Sequence, residues 1–210
     1  MNAHTDPSRA TYDALMTAFA HFNATLFEDR LPQVMLVLQR KRNTHGYFWA
    51  SQWKSREGDT SVDEIALNPE TMGRTFEEVL STLAHEMTHL EQQHFGKPGK
   101  NGHHNKEWGT LMDRIGLAPR GVGRCAGKRT GRTITHDIVA DGPFAVECAK
   151  LKADGVDLSY ITASHLQAAP KKKDRSKVKH SCGDCGNNVW CKEGTYIICG
   201  DCNQQMEEAL

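Results

Sequence analysis

The chain has 210 residues, 38% hydrophobic and 25% charged, which suits one ordinary core with a small module beside it. Its 26 basic and 26 acidic residues cancel, so the overall charge makes no case for nucleic acid or a membrane surface as partner, and any such case has to be local. No apolar run approaches the roughly 18 to 20 residues that span a bilayer, and the polar start MNAHTDPSRA lacks the blocks of a signal peptide, so a cytoplasmic protein without membrane contact is expected.

Residues 1–10 are expected to be flexible. From Thr11 to Phe27, Tyr12, Leu15, Met16, Phe19, Phe22 and Leu26 keep the spacing of an amphipathic helix, and this stripe is core. Pro32 breaks the pattern. Val34 to Gln39, Gly46 to Trp53 and Glu64 to Leu67 then read as three strands, rich in β-branched, aromatic and aliphatic residues. Asn68-Pro69 is a turn signal. Thr75 and Glu78 form a capping box, in which each side chain satisfies an unpaired backbone N–H at a helix start. The helix it opens should run to about His94, because Phe76, Val79, Leu80, Leu83, Met87 and Leu90 keep helical period and Gly96 and Pro98 follow.

That helix carries His85-Glu86-Met87-Thr88-His89, the H-E-x-x-H pattern. Four-residue spacing puts both imidazoles on one face, one turn apart, where they can share a tetrahedral zinc. A catalytic zinc keeps a coordination position for water, and a neighbouring carboxylate takes the proton as the water attacks a carbonyl, the general-base role expected of Glu86. Two surface histidines on a helix are the plain alternative, and the capping box and leucine stripe weigh against it. A third ligand is needed. The metzincin pattern fails, since Gln92 stands where its Gly belongs and Phe95 where its His belongs. Spacing leaves His103, His104 and Glu107 as candidates, at the start of a helix expected near Lys106 to Ile115 that ends at Gly116 with Pro119 beyond.

Residues 120 to 132 are rich in Gly, Arg and Lys. Their Gly127-Lys128 pair is no P-loop, because Val122 and Arg129 stand where that motif needs Gly and Ser or Thr. Thr133 to Val139 reads as a strand and Phe144 to Lys152 as a helix, and His136 in that strand reads as a structural histidine bonded to backbone. His45 and Tyr47 are ambiguous. The stretch 171–180, KKKDRSKVKH, holds six Lys or Arg against one Asp and reads as a solvated linker.

Seven cysteines are an odd number, and two Cys-x-x-Cys pairs, Cys182/Cys185 and Cys199/Cys202, flank thirteen residues near the end. The gap is a little shorter than usual for a zinc ribbon but ample for a hairpin with one knuckle on each side, in which four thiolates saturate a structural zinc and hold together a segment too small for its own core. Cys125, Cys148 and Cys191 are left as free thiols. Trp190 and Tyr196, next to the basic linker, make DNA a candidate partner, while aromatics packed on their own hairpin are the ordinary reading.

The stretch STLAHEMTHLEQQHFGKPGKNGHHNKEW resembles the active-site region of SprT-like proteins, a family that includes the eukaryotic Spartan proteases. LFEDRLPQVMLVLQRKR, GYFWASQW, DEIALNPE, GKRTGRTITHDIV and GPF extend the resemblance over most of the chain. In that family the third ligand is a His in a His-x-x-Glu-aromatic pattern, which His104-Asn105-Lys106-Glu107-Trp108 matches, so the resemblance implies His104, with Glu107 left to orient a ligand or stabilise the helix start. It also implies a small zincin-like metalloprotease domain; with the basic stretch and the cysteine pairs, the expected architecture is α+β, with that domain over 11–168, a basic linker over 169–180 and a zinc ribbon over 181–210. The function it implies is a zinc-dependent endopeptidase acting on DNA-associated proteins, a role compatible with the nucleoid, with one catalytic and one structural zinc. A nucleic-acid-binding or regulatory module on a weakly active scaffold is the alternative.

Overall fold

The computed structural model describes residues 6–163 and 177–208, and they fall in two compact units that divide between Leu166 and Gln167. The first unit is mixed α/β. Helix α1 spans Pro7–Leu26, opened by Asp6, whose carboxylate accepts from the backbone N–H of Ser8 and Arg9. The sequence reading placed its start at Thr11 and left 7–10 flexible; the Asp6 cap with Pro7 at the first turn extends the helix by a turn.

Strands β1 (Met35–Leu38), β2 (Gly46–Lys54) and β3 (Ser61–Leu67) form a sheet in the order β1-β3-β2, parallel between β1 and β3 and antiparallel between β3 and β2. The central strand β3 is the buried one, and β2 is an edge. Helix α2 (Phe76–Phe95) packs on β2 and β3, and both halves of its capping box are formed. Helix α3 (Lys106–Arg114) follows, capped by Asn105. Leu15, Phe22, Ile65, Leu80, Leu83, Met87, Trp108 and Phe144 are buried between these elements, each large apolar side chain contributing on the order of 1.5–3 kcal/mol.

The sequence reading missed a strand. Leu117–Gly121 forms β4 and pairs antiparallel with β5 (Ile134–Ile138). Pro119 lies within β4 opposite His136, where a two-stranded ribbon tolerates the missing N–H, so its helix-stop signal hid a strand. Helix α4 (Pro143–Ala153) then packs on α1 and α2.

A buried carboxylate ties the helices together. Glu91 on α2 is 1% exposed; it accepts a hydrogen bond from Arg30, just beyond α1, and Arg114 Nη2 on α3 donates to both of its carboxylate oxygens at 2.7 Å. No helix among the described residues is long and apolar enough to cross a membrane.

In the second unit β6 (Val178–Ser181) pairs with β7 (Asn188–Cys191) and β8 (Glu207–Glu208). The linker reading therefore reached too far: Val178 to His180 belong to a strand, and His180 is buried at 2% exposed. Lysine density concealed a short inward-outward alternation. The rest of the linker, up to Ser176, lies outside the described residues.

Candidate metal centre

Helix α2 delivers His85 and His89 one turn apart, with ring centroids 5.2 Å from each other. The chain then turns back through Gly96–Asn105, and His104 arrives against them, its Nε2 3.2 Å from that of His89. One ring nitrogen from each of the three lies within 4.8 Å of the others, a set able to hold a metal ion. His103 is exposed and outside the set. Glu107 is also outside it: its Oε2 accepts from the Lys97 backbone N–H at 2.8 Å and from Gln92 at 2.7 Å, which pins the returning loop and holds its carboxyl below the usual range.

The nitrogens of His104 and His85 that face away from the cluster have partners. His104 Nδ1 lies 3.0 Å from the carbonyl oxygen of Gly131, and the two residues also exchange backbone hydrogen bonds of 2.9 and 3.0 Å. An N–H donated to a carbonyl fixes the tautomer and leaves Nε2 as the ligand nitrogen. Gly131 has φ +139°, and a Cβ there would sit 2.6 Å from Cys125 Sγ, so this anchor needs glycine. His85 Nδ1 lies 3.0 Å from His136 Nδ1, and His136 Nε2 lies 2.9 Å from Ser81 Oγ. His136 thus contacts side chains on α2, not backbone as its sequence context suggested. Neither Gly131 nor Ser81 carries a local signal; both act through the β4–β5 ribbon folding over α2.

Trp108, fully buried, forms the floor. Its ring centroid is 4.9 Å from that of His85, 5.3 Å from His89 and 4.3 Å from His104. Its Nε1 has no hydrogen-bond partner among the described residues, a cost of roughly 1–3 kcal/mol accepted for a rigid apolar surface under three imidazoles.

The electrostatics suit a cation. Burial, reinforced by the neighbouring imidazoles, lowers His85 well below the ordinary histidine value and brings His89 to about 3; burial also lowers His104. All three are neutral and offer lone pairs. Glu86 is 5% exposed, and burial raises its carboxyl to about 8, with Lys41 opposing. A Cβ on Gly46, the first residue of β2, would lie 3.3 Å from Glu86 Oε1, so the start of the edge strand backs directly on this carboxylate.

In the second unit one sulfur from each of Cys182, Cys185, Cys199 and Cys202 lies within 4.8 Å of the others, and Cys185 and Cys199 are 3.5 Å apart. Backbone N–H groups of Cys202 and Asp201 pull Cys199 down to about 7, while hydrogen bonding to Cys185 pushes Cys202 up to about 12. Four crowded sulfurs with split affinities for protons are a donor set a dication would unify, and the arrangement is compatible with a zinc ribbon. Cys191 stands apart, its Sγ 3.1 Å from His180 Nδ1. Trp190 and Tyr196 are exposed at 59% and 69%.

Buried neutral imidazoles, an adjoining buried carboxyl and a separate thiol quartet define a metalloprotease-like type of chain. The SprT-like family profile matches residues 15–136, more than half of the sequence, and the chain belongs to that family. An uncharacterized protein of the mucB 3′ region in Salmonella typhimurium is similar, 41% identical over 59 residues that make up 28% of this chain and 80% of that protein. No solved structure matches.

Proposed function

We propose that the protein is a zinc-dependent endopeptidase with a zincin-like catalytic unit, in which His85, His89 and His104 hold the catalytic zinc and Glu86 is the general base. The observation that carries this reading is the convergence of three neutral imidazoles within 4.8 Å beside a buried carboxyl on the same helix. Zinc at such a site supplies Lewis acidity, polarising a carbonyl and making water acidic enough to attack near neutral pH. Glu86 takes the proton of the attacking water on a carboxylate oxygen and passes it to the leaving amine. Burial raises the Glu86 carboxyl to about 8, so once it has taken the proton it holds it readily for transfer to the leaving amine. His104 is oriented by Gly131, and His85 by His136 and Ser81. The free edge of β2 offers backbone groups on which an extended substrate pairs as an added strand.

Cys182, Cys185, Cys199 and Cys202 hold a structural zinc in this proposal, and the exposed Trp190 and Tyr196 offer stacking faces for DNA, which would direct the enzyme to DNA-associated proteins in the cytoplasm. The test is cleavage of a DNA-binding protein by zinc-loaded enzyme, with and without single- and double-stranded DNA, beside Glu86→Gln. Fragments that depend on Glu86 and increase with DNA support both parts. Glu86-dependent cleavage indifferent to DNA removes the DNA part, and no cleavage with both zincs bound favours a binding module on an inactive scaffold.

A further inference from the structure

The first unit has a cavity of about 660 Å³, lined by residues that include Arg40, Lys41, Arg42, His45, Asn68 and Glu70. Its wall is continuous with the site: His45 precedes Gly46, the glycine that backs on Glu86, and the Lys41 charge reaches the Glu86 carboxyl. An occupant therefore sits at the turn that leads into edge strand β2, one residue from the glycine that backs on the base.

The wall is built, not slack. Asn68, 4% exposed, donates from its amide to the carbonyls of Lys41 and Thr44 at 2.7 and 2.8 Å, and its backbone N–H donates to His45 at 2.8 Å. Thr44 Oγ1 closes the turn on the carbonyl of Gly46. One residue thus fixes the whole 41–45 loop.

The charge is one-sided. Arg40 is paired with Glu70 at 2.6 Å, whereas Lys41 lies over the Tyr47 ring, 4.0 Å from its centroid, a contact that leaves its charge unneutralised. Neither Lys41 nor Arg42 is ion-paired among the described residues. Arg42 without an ion pair among the described residues, and Lys41 with the Glu86 carboxyl as an opposing charge but no ion pair to it, leave this wall with an excess of positive charge that fits an anion carried by whatever passes the base.

We propose that this cavity is a substrate subsite that takes an Asp or Glu side chain close to the scissile bond, with Lys41 and Arg42 as its specificity-determining residues. The inference rests on the endopeptidase reading. A polypeptide is favoured over a phosphodiester because His45 in the cavity wall leads directly into β2, the strand on which the substrate main chain would pair, and an extended chain presents a side chain on each face every second residue.

The experiment has two arms. In the first, fluorescein-labelled alanine-rich peptides that carry one Glu, or Gln in its place, are titrated into zinc-loaded Glu86→Gln protein. The Glu peptide binds about fivefold tighter at low salt, the yield of one partly exposed ion pair, and the difference vanishes when Arg42→Gln or Lys41→Glu is added. Thermal unfolding of each variant verifies the fold, and Arg42→Gln, on an exposed position, guards against a misfolded charge reversal. In the second arm, cleavage sites of the wild type on a denatured protein mixture are mapped by mass spectrometry. Acidic residues are enriched at one position, and the double variant Lys41→Glu, Arg42→Glu replaces them with Lys and Arg. Equal binding of the two peptides overturns the subsite, as does Glu86-dependent cutting with no acidic enrichment, which leaves the peptidase reading standing. No Glu86-dependent cutting overturns both. Equal peptide binding together with oligonucleotide binding that Arg42→Gln weakens assigns the cavity to phosphodiesters and overturns the proposal.

Discussion

Replacing Gly46 with Ala perturbs the contact between the edge strand and the base without touching a candidate ligand. The added Cβ would lie 2.8 Å from the Ala66 carbonyl oxygen, 2.9 Å from Thr82 Cγ2 and 3.3 Å from Glu86 Oε1. The first of these is backbone of β3 and the second is side chain of buried α2, so neither yields easily and the head of β2 must lift away. Overpacking of this kind costs about 1–3 kcal/mol, and about 2 kcal/mol in a chain of this size lowers Tm by about 4–8 °C. Because Glu86 loses the surface that positions it, cleavage should fall by about 10- to 100-fold while zinc stays bound. The assay is thermal unfolding, zinc content by atomic absorption, and cleavage rate, beside Gly58→Ala, where a Cβ meets nothing within 4 Å. If Gly46→Ala unfolds and cleaves like the Gly58→Ala control, the packing of β2 on Glu86 is not as described.

His104→Ala should remove one zinc equivalent of two, while His103→Ala keeps both; loss on His103→Ala would move the third ligand. His136→Ala or Ser81→Ala should weaken zinc retention at the histidine site by about 10- to 100-fold in chelator competition, without emptying it, because His85 loses its orienting contact. Glu91→Ala should destabilise the first unit by about 3 kcal/mol in denaturant titration, near the low end for breaking a buried pair because Arg30 and Arg114 are each about a third exposed. In zinc-free Glu86→Gln, stability should fall as pH drops from about 6.5 to 4. His89 and His136, lowered to about 3 and 4 with burial the largest cause, stay neutral in the fold while the unfolded chain takes up protons, costing up to about 1.4 kcal/mol per pH unit per group. The wild type should show a shallower slope. Glu86, raised to about 8, stays protonated in the fold while it ionises in the unfolded chain, so its contribution falls as pH rises from 4.5 to 8.

Local spacing by itself determined a large share of this protein. The Thr75–Glu78 box, the leucine stripe and the four-residue step from His85 to His89 are properties of a single helix, readable because a turn of helix has one period. The two Cys-x-x-Cys pairs are equally local, and the structure gathers all four sulfurs. Tertiary structure alone decided the rest. His103 and His104 are neighbours in sequence, and only the return of the chain onto α2, pinned by Glu107 to Lys97 and by His104 to Gly131, brings one into the cluster and leaves the other in solvent. Strand β4 was hidden by Pro119, and without it nothing marks His136 or Ser81 as supports of His85. The cationic cavity likewise arises only when Asn68 folds the Lys41–His45 loop against the strand that backs the base. Contacts between residues dozens of positions apart depend on which loops close, and no periodicity within one segment encodes that closure.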